Sequence, residues 1–409
     1  MESFPPVGLT HFGGAGQPIS YWQIDRDVFL QHNGLRRVSE DGGTSWMDYL
    51  GGELVAASDG EVIQFTSRYA LWQQYGGSII GDVVDVPLYL FSILAGEEKL
   101  CPLNFRQALF LDIETSIINE ENCAIMVGLG AFEAAQFCLR QLFVTHPKHE
   151  HALLALLGTI VGSRVFLVTF NGKLFDVPFL DARFCRHGSE PCMSAFPHLD
   201  LLLIARRLWR SILPNCRLKT IEIERLGVER SDDIPSSMIP VYYRKFLETD
   251  EPQIVERLLL HNRFDVLSLL GTVNVMVRSL YHPATMDRRE ADLVACGKEF
   301  LRLGHAELAT IYLEKAVKKC RTSEWEAVEE LAQAYKRLRD WDRASTLWND
   351  LINLDPCRSS YPYVELAKYY ERRERDYFRA AKLMETAILN FPQQQTLMKR
   401  WERLRKKLS

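Results

Sequence analysis

Phe110-Leu111-Asp112-Ile113-Glu114-Thr115 is a short apolar run ending in two carboxylates set two residues apart. In a β-strand, residues i and i+2 leave the same face. Asp112 and Glu114 therefore stand side by side, while Leu111 and Ile113 turn the other way into a core. Carboxylates held this close raise each other's pKa unless a cation lies between them. A divalent metal, Mg²⁺ or Mn²⁺, is the economical partner for hard oxygen ligands. Alone, the pair also reads as two solvated acids at a strand end.

Around this strand, from Arg106 to about Leu280, strands and helices alternate. Ala108 to Ile113, Ala124 to Phe132, Gln136 to Val144 and Arg164 to Phe170 carry strand patterns. Gly128 and Gly130 inside the second strand indicate a close backbone approach. Lys148 to Val161 has a helical stripe of Leu153, Leu154, Leu156 and Leu157. Helices are also expected near Val177 to Phe184, Leu199 to Ile212 and Ile254 to Met276. Together they form an α/β layered domain over residues 105–280. Residues 1–104 are rich in Gly and short β-type runs, and are expected as a β-rich lead-in packed on that domain. A linker is expected at 281–290, where Tyr281-His282-Pro283 breaks the pattern.

Residues 291–409 read as all-helical and repetitive. Phe300, Tyr335 and Tyr370 lie 35 residues apart, and the pairs Ala309/Ala344 and Leu313/Trp348 keep that offset. A period near 34 residues on paired helices resembles tetratricopeptide repeats. The third unit drifts in register near Arg375-Asp376-Tyr377. Stacked helix pairs present a concave surface on which a protein partner could dock.

The chain has 409 residues, 47% hydrophobic and 25% charged, with a formal net charge of −4. Such a balance suits an ordinary soluble protein, and any nucleic-acid contact must rest on local basic patches. The nine cysteines form no Cys-x-x-Cys pair, which argues against a zinc site or a disulfide framework and for reduced thiols in the cytoplasm. Met1 to Pro6 lacks signal-peptide character, and no apolar run reaches membrane-spanning length, so no membrane contact is expected.

Three further acidic positions bear on Asp112 and Glu114. Asp176 follows a strand and the turn Asn171-Gly172-Lys173-Leu174-Phe175, where α/β sheets place their sites; it also suits the start of a helix. His261 and Asp265, in His261-Asn262-Arg263-Phe264-Asp265, share a helix face at i and i+4. Asp200 reads either as a helper of the acidic site or as the N-terminal charge of the helix that follows.

Asp-x-Glu on a first strand, an Asn-x-x-x-aromatic-Asp segment, and a late helix bearing Asp with an upstream His resemble the DEDD 3′-5′ exonucleases of the ribonuclease H-like fold. Residues 108–115, His198-Leu199-Asp200-Leu201 with Ala205 to Trp209, and 261–269 are similar to the YprB-like branch, over roughly residues 50 to 275. The resemblance implies a mixed central sheet flanked by helices. It also implies two divalent metals, Mg²⁺ or Mn²⁺, held by Asp112, Glu114, Asp176 and Asp265, with His261 as the base for an attacking water. One departure matters: His261 stands four positions before Asp265, the spacing of the tyrosine subclass, whereas the histidine subclass uses five.

The activity so implied is 3′-5′ exonucleolytic hydrolysis of single-stranded DNA or RNA. Asn171, Lys173, Asp200, Arg206 and Arg210 are the candidate substrate-binding residues, although the basic ones also read as a solvated face. The competing readings are a nucleic-acid-binding interaction protein that recruits a partner through its repeats, and a structure-specific endonuclease on the same metal centre.

Overall fold

The computed structural model describes residues 22–24, 47, 50–57, 60–118, 121–188, 192–231, 233–282, 290–319 and 324–408. In chain order, β1 (Gly52–Ala57) and β2 (Gly60–Ala70) lead through α1 (Tyr89–Ala95) to β3 (Ala108–Ile118). Then follow β4 (Glu121–Glu133), β5 (Gln136–Phe143), α2 (Glu150–Val161), β6 (Phe166–Thr169), α3 (Asp176–Arg186), β7 (His198–Asp200) and α4 (Leu201–Trp209). Helices α5 (Ile239–Thr249) and α6 (Pro252–Tyr281) complete the α/β part.

The central sheet has seven strands in the order β7-β6-β3-β4-β5-β2-β1. β3 lies parallel to β6 and antiparallel to β4, so it is an inner strand with a partner on each edge. The sheet is mixed, as expected for a ribonuclease H-like domain. Two features correct the expectation. β1 and β2, placed in a separate lead-in, are strands of this same sheet: β2 pairs antiparallel with β5 from Ile63↔Phe143 to Ala70↔Gln136. His198–Asp200, expected near the start of a helix, forms the edge strand β7, parallel to β6.

Both faces of the sheet are covered. On one, Leu109, Leu111 and Ile113 pack with Leu153, Leu154 and Leu157 of α2 and Val177 and Leu180 of α3. On the other lies α6, a 30-residue helix, longer than expected, with Pro252 in its first turn. Proline suits that position because the first N–H groups of a helix have no partner inside it.

The C-terminal region is all helical: α7 (Glu290–Arg302), α8 (Ala306–Lys319), α9 (Glu324–Leu338), α10 (Trp341–Leu354), α11 (Tyr361–Tyr369), α12 (Tyr377–Asn390) and α13 (Gln395–Arg405). The helices pack pairwise as repeats. Phe300, Ala309, Leu313, Ala344 and Trp348, which carry the 35-residue offset, are buried. Gly297 lets α7 approach α8; a Cβ there would stand 2.4 Å from Leu313 Cγ. The register drift of the third unit has a physical cause. α11 ends in a π-helical turn over Tyr370–Glu374, and Arg375 turns out of it at φ +57.

The repeats and the α/β part share one apolar core, in which Leu293 and Phe300 of α7 join Trp209 of α4 and Leu280 of α6. Arg225 Nη1 and Asp292 Oδ2 pair at 2.8 Å across this boundary, each side chain only 1% exposed. The expected linker lies largely outside the described residues. No helix among the described residues is long and apolar enough to cross a membrane.

Candidate active site

Period-two alternation puts Asp112 and Glu114 on the α6 side of β3, and the pairing register with β4 shifts directly after Glu114. Opposite Asp112 on β4 stands Gly128. A Cβ at Gly128 would lie 2.3 Å from Asn262 Oδ1, so the missing side chain is the space that α6 occupies. Buried there, Asn262 donates from Nδ2 to Asp112 Oδ2 at 2.8 Å and accepts from Gln141 Nε2 at 3.0 Å. The close approach expected at Gly128 thus fixes the first carboxylate.

α6 carries His261 and Asp265 one turn apart. His261 Nε2 lies 3.4 Å from Asp265 Oδ2 and 3.9 Å from Glu114 Oε1. Glu114, His261 and Asp265 each offer a ligand atom within 4.8 Å of the others. His261 Nδ1 is 2.8 Å from Asp233 Oδ1, which leaves Nε2 as the nitrogen nearest the acids. Behind them the buried Arg230 pairs with Asp265 at 2.5 Å, with Asp233 at 3.0 Å and with Glu222.

Asp176 is the first residue of α3 and is buried against β3, where backbone amides of Asp176 itself and Ile113 interact with its carboxyl group. Of the sequence-predicted ligands, Glu114 and Asp265 stand within ligand distance of each other and of His261, while Asp112 and Asp176 lie outside that set but within reach of its charges. Burial pushes Asp112 well above the usual carboxylate range, and Asp265, Glu114 and Asp176 add to the shift, while the Asn262 hydrogen bond opposes it. Glu114 is pushed up to about 8, chiefly by burial, with His261 pulling the other way. Asp176 is pushed up to about 7, again by burial first.

This is what crowding like charges in a low-dielectric site does. Glu114 Oε1, moreover, is buried with no hydrogen-bond partner. Clustered hard oxygen donors, raised pKa values and an orphaned buried oxygen all fit a divalent cation.

His261 departs from the near-neutral imidazole expected of a ready base. Burial lowers its pKa, but the Asp233 hydrogen bond and the charges of Asp265 and Glu114 outweigh that and push it up to about 9. The imidazole so held stands 3.4 Å from Asp265 and 3.9 Å from Glu114.

The candidate substrate-binding residues divide. Asn171, Arg206 and Arg210 line one cavity of about 780 Å³, together with Phe170, Leu202 and Arg217. Asn171 takes the left-handed conformation at φ +67, which turns the chain after β6. Asp200 is buried and already engaged: its carboxylate accepts from the amides of Asn171, Lys173 and Leu202 at 2.8, 3.1 and 3.0 Å. It caps α4 and braces the turn, so of the two readings open in the sequence the geometry favours the helix N-terminus. Lys173 contributes its amide to that brace, and its side chain is not among those lining the cavity.

Arg230, Asp233 and Asn262 were not singled out from the sequence. The first two lie 35 and 32 residues before Asp265, too far for any helical or strand spacing to flag them. Asn262 did carry a signal, since it stands at i and i+3 with Asp265 and so shares its face.

Known proteins bear on the same region. Residues 109–277 match the model of the RNase_H superfamily. The chain is similar to an uncharacterized protein of Bacillus subtilis (strain 168), YprB, at 29% identity over 315 residues, which cover 75% of this chain and 76% of that protein. Among solved structures it shares 17% identity and a TM-score of 0.34 with a family B DNA polymerase from the archaeon Pyrobaculum calidifontis, over 57% of this chain and 29% of the polymerase. The span matched to the superfamily takes in Asp112, Glu114, Asp176, His261 and Asp265, so residues 109–277 are a ribonuclease H-like domain with the candidate site inside it.

Proposed function

We propose that this protein is a metal-dependent 3′-5′ exonuclease acting on single-stranded DNA or RNA. The observation that carries the reading is the acidic cluster: Glu114, His261 and Asp265 bring ligand atoms within 4.8 Å of one another, Asp112 and Asp176 lie within electrostatic reach of them, and the buried Glu114 Oε1 has no hydrogen-bond partner. Asp112, Glu114, Asp176 and Asp265 would hold two divalent cations, Mg²⁺ or Mn²⁺. When bound, such ions supply a water of lowered pKa and neutralise charge at the attacking and leaving oxygens of a phosphodiester.

The chain's own residues do the rest. Asn262 orients the Asp112 carboxylate, and Arg230 balances Asp265 from behind. Asp233 holds Nδ1 of His261, so that Nε2 faces the acids. Once the charges of Glu114 and Asp265 are neutralised, two of the contributions that raise the imidazole are gone and only those of Asp233 remain. Nε2 then becomes a proton acceptor for an attacking water. The cavity at Phe170, Asn171, Arg206 and Arg210 adjoins the turn that leads into Asp176, and its arginines suit a phosphate backbone.

The test uses 5′-labelled single-stranded and duplex DNA and RNA with Mn²⁺. The wild type is expected to shorten a single strand stepwise from its 3′ end, and Asp112→Ala to abolish the ladder. Binding without cleavage on every substrate would refute the reading, and a single internal cut would replace it with endonucleolytic action.

A further inference from the structure

The arginines on α4 do not belong to one cavity only. Arg206 and Arg210 also line a second cavity of about 620 Å³, whose other walls come from the helical repeats. α7 contributes Lys298, Glu299 and Arg302, and α9 contributes Glu330, Gln333 and Arg337. With Arg207, six cationic side chains face two carboxylates there. We propose that this groove between α4 and the repeats is a second stretch of single-stranded nucleic-acid binding site, continuous with the candidate active site, and that the repeats hold the strand's phosphates. The proposal rests on the nuclease reading above.

Spacing supports it. Arg206 and Arg210, Lys298 and Arg302, and Gln333 and Arg337 are i,i+4 pairs, so each helix turns two neighbouring side chains toward the groove. Four residues of helix rise about 6 Å, a step on the scale of adjacent phosphates in an extended strand.

Charge supports it too. Among the described residues Arg206, Arg210 and Arg217 have no carboxylate partner. Glu299 alone serves both Arg207, at 3.4 Å, and Arg302, at 2.7 Å. Lys298 pairs with Glu326 at 2.5 Å, and even so the groove keeps positive charge in a chain whose formal net charge is −4, the local pattern expected of a polyanion track.

The walls are also fixed relative to each other. The buried Arg225–Asp292 pair joins the α/β part to α7, and Tyr312 of α8 donates to Leu280 O of α6 at 2.6 Å. A strand would meet a preformed track and need not organise one, which lowers the entropic cost of binding.

The experiment measures anisotropy of labelled oligothymidylates of about 5 and about 30 nucleotides on the full chain in EDTA, where no cleavage can intrude. Lys298→Ala/Arg302→Ala changes two exposed side chains, 45% and 60% accessible, and should leave the fold intact. Affinity for the long strand should fall about 5–10-fold, and the slope of log K against log salt by about 1.4, close to 0.7 per lost single-strand phosphate contact. The long-to-short affinity ratio should fall with it. Arg337→Gln, on the neighbouring helix α9, should act in the same direction. A ratio and salt slope unchanged in both variants would overturn the proposal. Tighter binding of a poly-glutamate peptide than of the long oligonucleotide would also overturn it, in favour of an acidic protein partner. Failure of the wild type to cleave the short strand with Mn²⁺ would count against the nuclease reading alone, because the affinity ratio is read without metal.

Discussion

His261 sits between opposing influences, and so does the pH dependence of the whole site. Burial disfavours its charged form, yet Asp233, Asp265 and Glu114 hold it protonated to about 9, against 6.5 for a free imidazole. Glu114 and Asp176 stand at about 8 and about 7, far above their ordinary 4.5 and 3.8. All three shifts have one sign: between about pH 4 and 9 the folded, metal-free chain binds more protons than the unfolded chain. Stability is therefore fully present below the unfolded pKa values and is lost as pH rises through the folded ones. The melting temperature of metal-free protein should fall steadily from pH 5 to pH 9. Mn²⁺ should raise it more at pH 8 than at pH 5, because deprotonated carboxylates bind the ion and binding stabilises the folded state. A flat profile, with no added effect of Mn²⁺ at high pH, would contradict the coupling. Little of this was legible in advance. The sequence marks His261 by its spacing to Asp265, but Arg230 ends a three-residue strand, Val228–Arg230, and Asp233 lies just beyond it, and their place beside α6 is decided only by tertiary structure.

Local periodicity located the elements that carry the acids. The alternation through β3, the paired glycines of β4 and the apolar length of α6 lie close to their expected places. What escaped was non-local or too short to have a period. β2 joins the sheet through β5, across a separation that no local pattern encodes, and the three residues of β7 merge into the apolar start of α4. Gly128 is where local signal and tertiary packing meet, since its missing Cβ is the room for Asn262 and for Val266 Cγ2, 2.8 Å from where that Cβ would stand. Gly128→Ala should push α6 off β4 at a cost of about 1–3 kcal/mol, as overpacking does. Urea unfolding would measure the loss, and cleavage should fall as well, because Asn262 no longer orients Asp112. A variant of unchanged stability would mean that α6 yields without cost.

At the scale of the molecule, the two halves meet through a buried charge pair. Arg225 lies 5.0 Å over the Trp209 ring and pairs with Asp292. Arg225→Met leaves Asp292 buried and unpaired, which should cost about 3–5 kcal/mol. Arg225→Met/Asp292→Leu removes both charges and should recover most of that. Calorimetry of the three proteins decides the matter, and a double variant as unstable as the single one would show that the pair is not the source of the loss. The sequence announced the repeats by their period and the ribonuclease H-like fold by its acids, but not that the two would share a core. The position of β3 carries one more consequence. It pairs with β6 through Ala108–Phe110 and with β4 from Phe110 onward, with packed helices on both faces, so the amides of its buried first half, Ala108 to Ile113, have no exposed route to solvent short of wholesale opening. They should be among the slowest in the chain to exchange with deuterium. The acids on that strand are then lost only with the fold itself, so in rising denaturant catalytic activity and helical circular dichroism should disappear together.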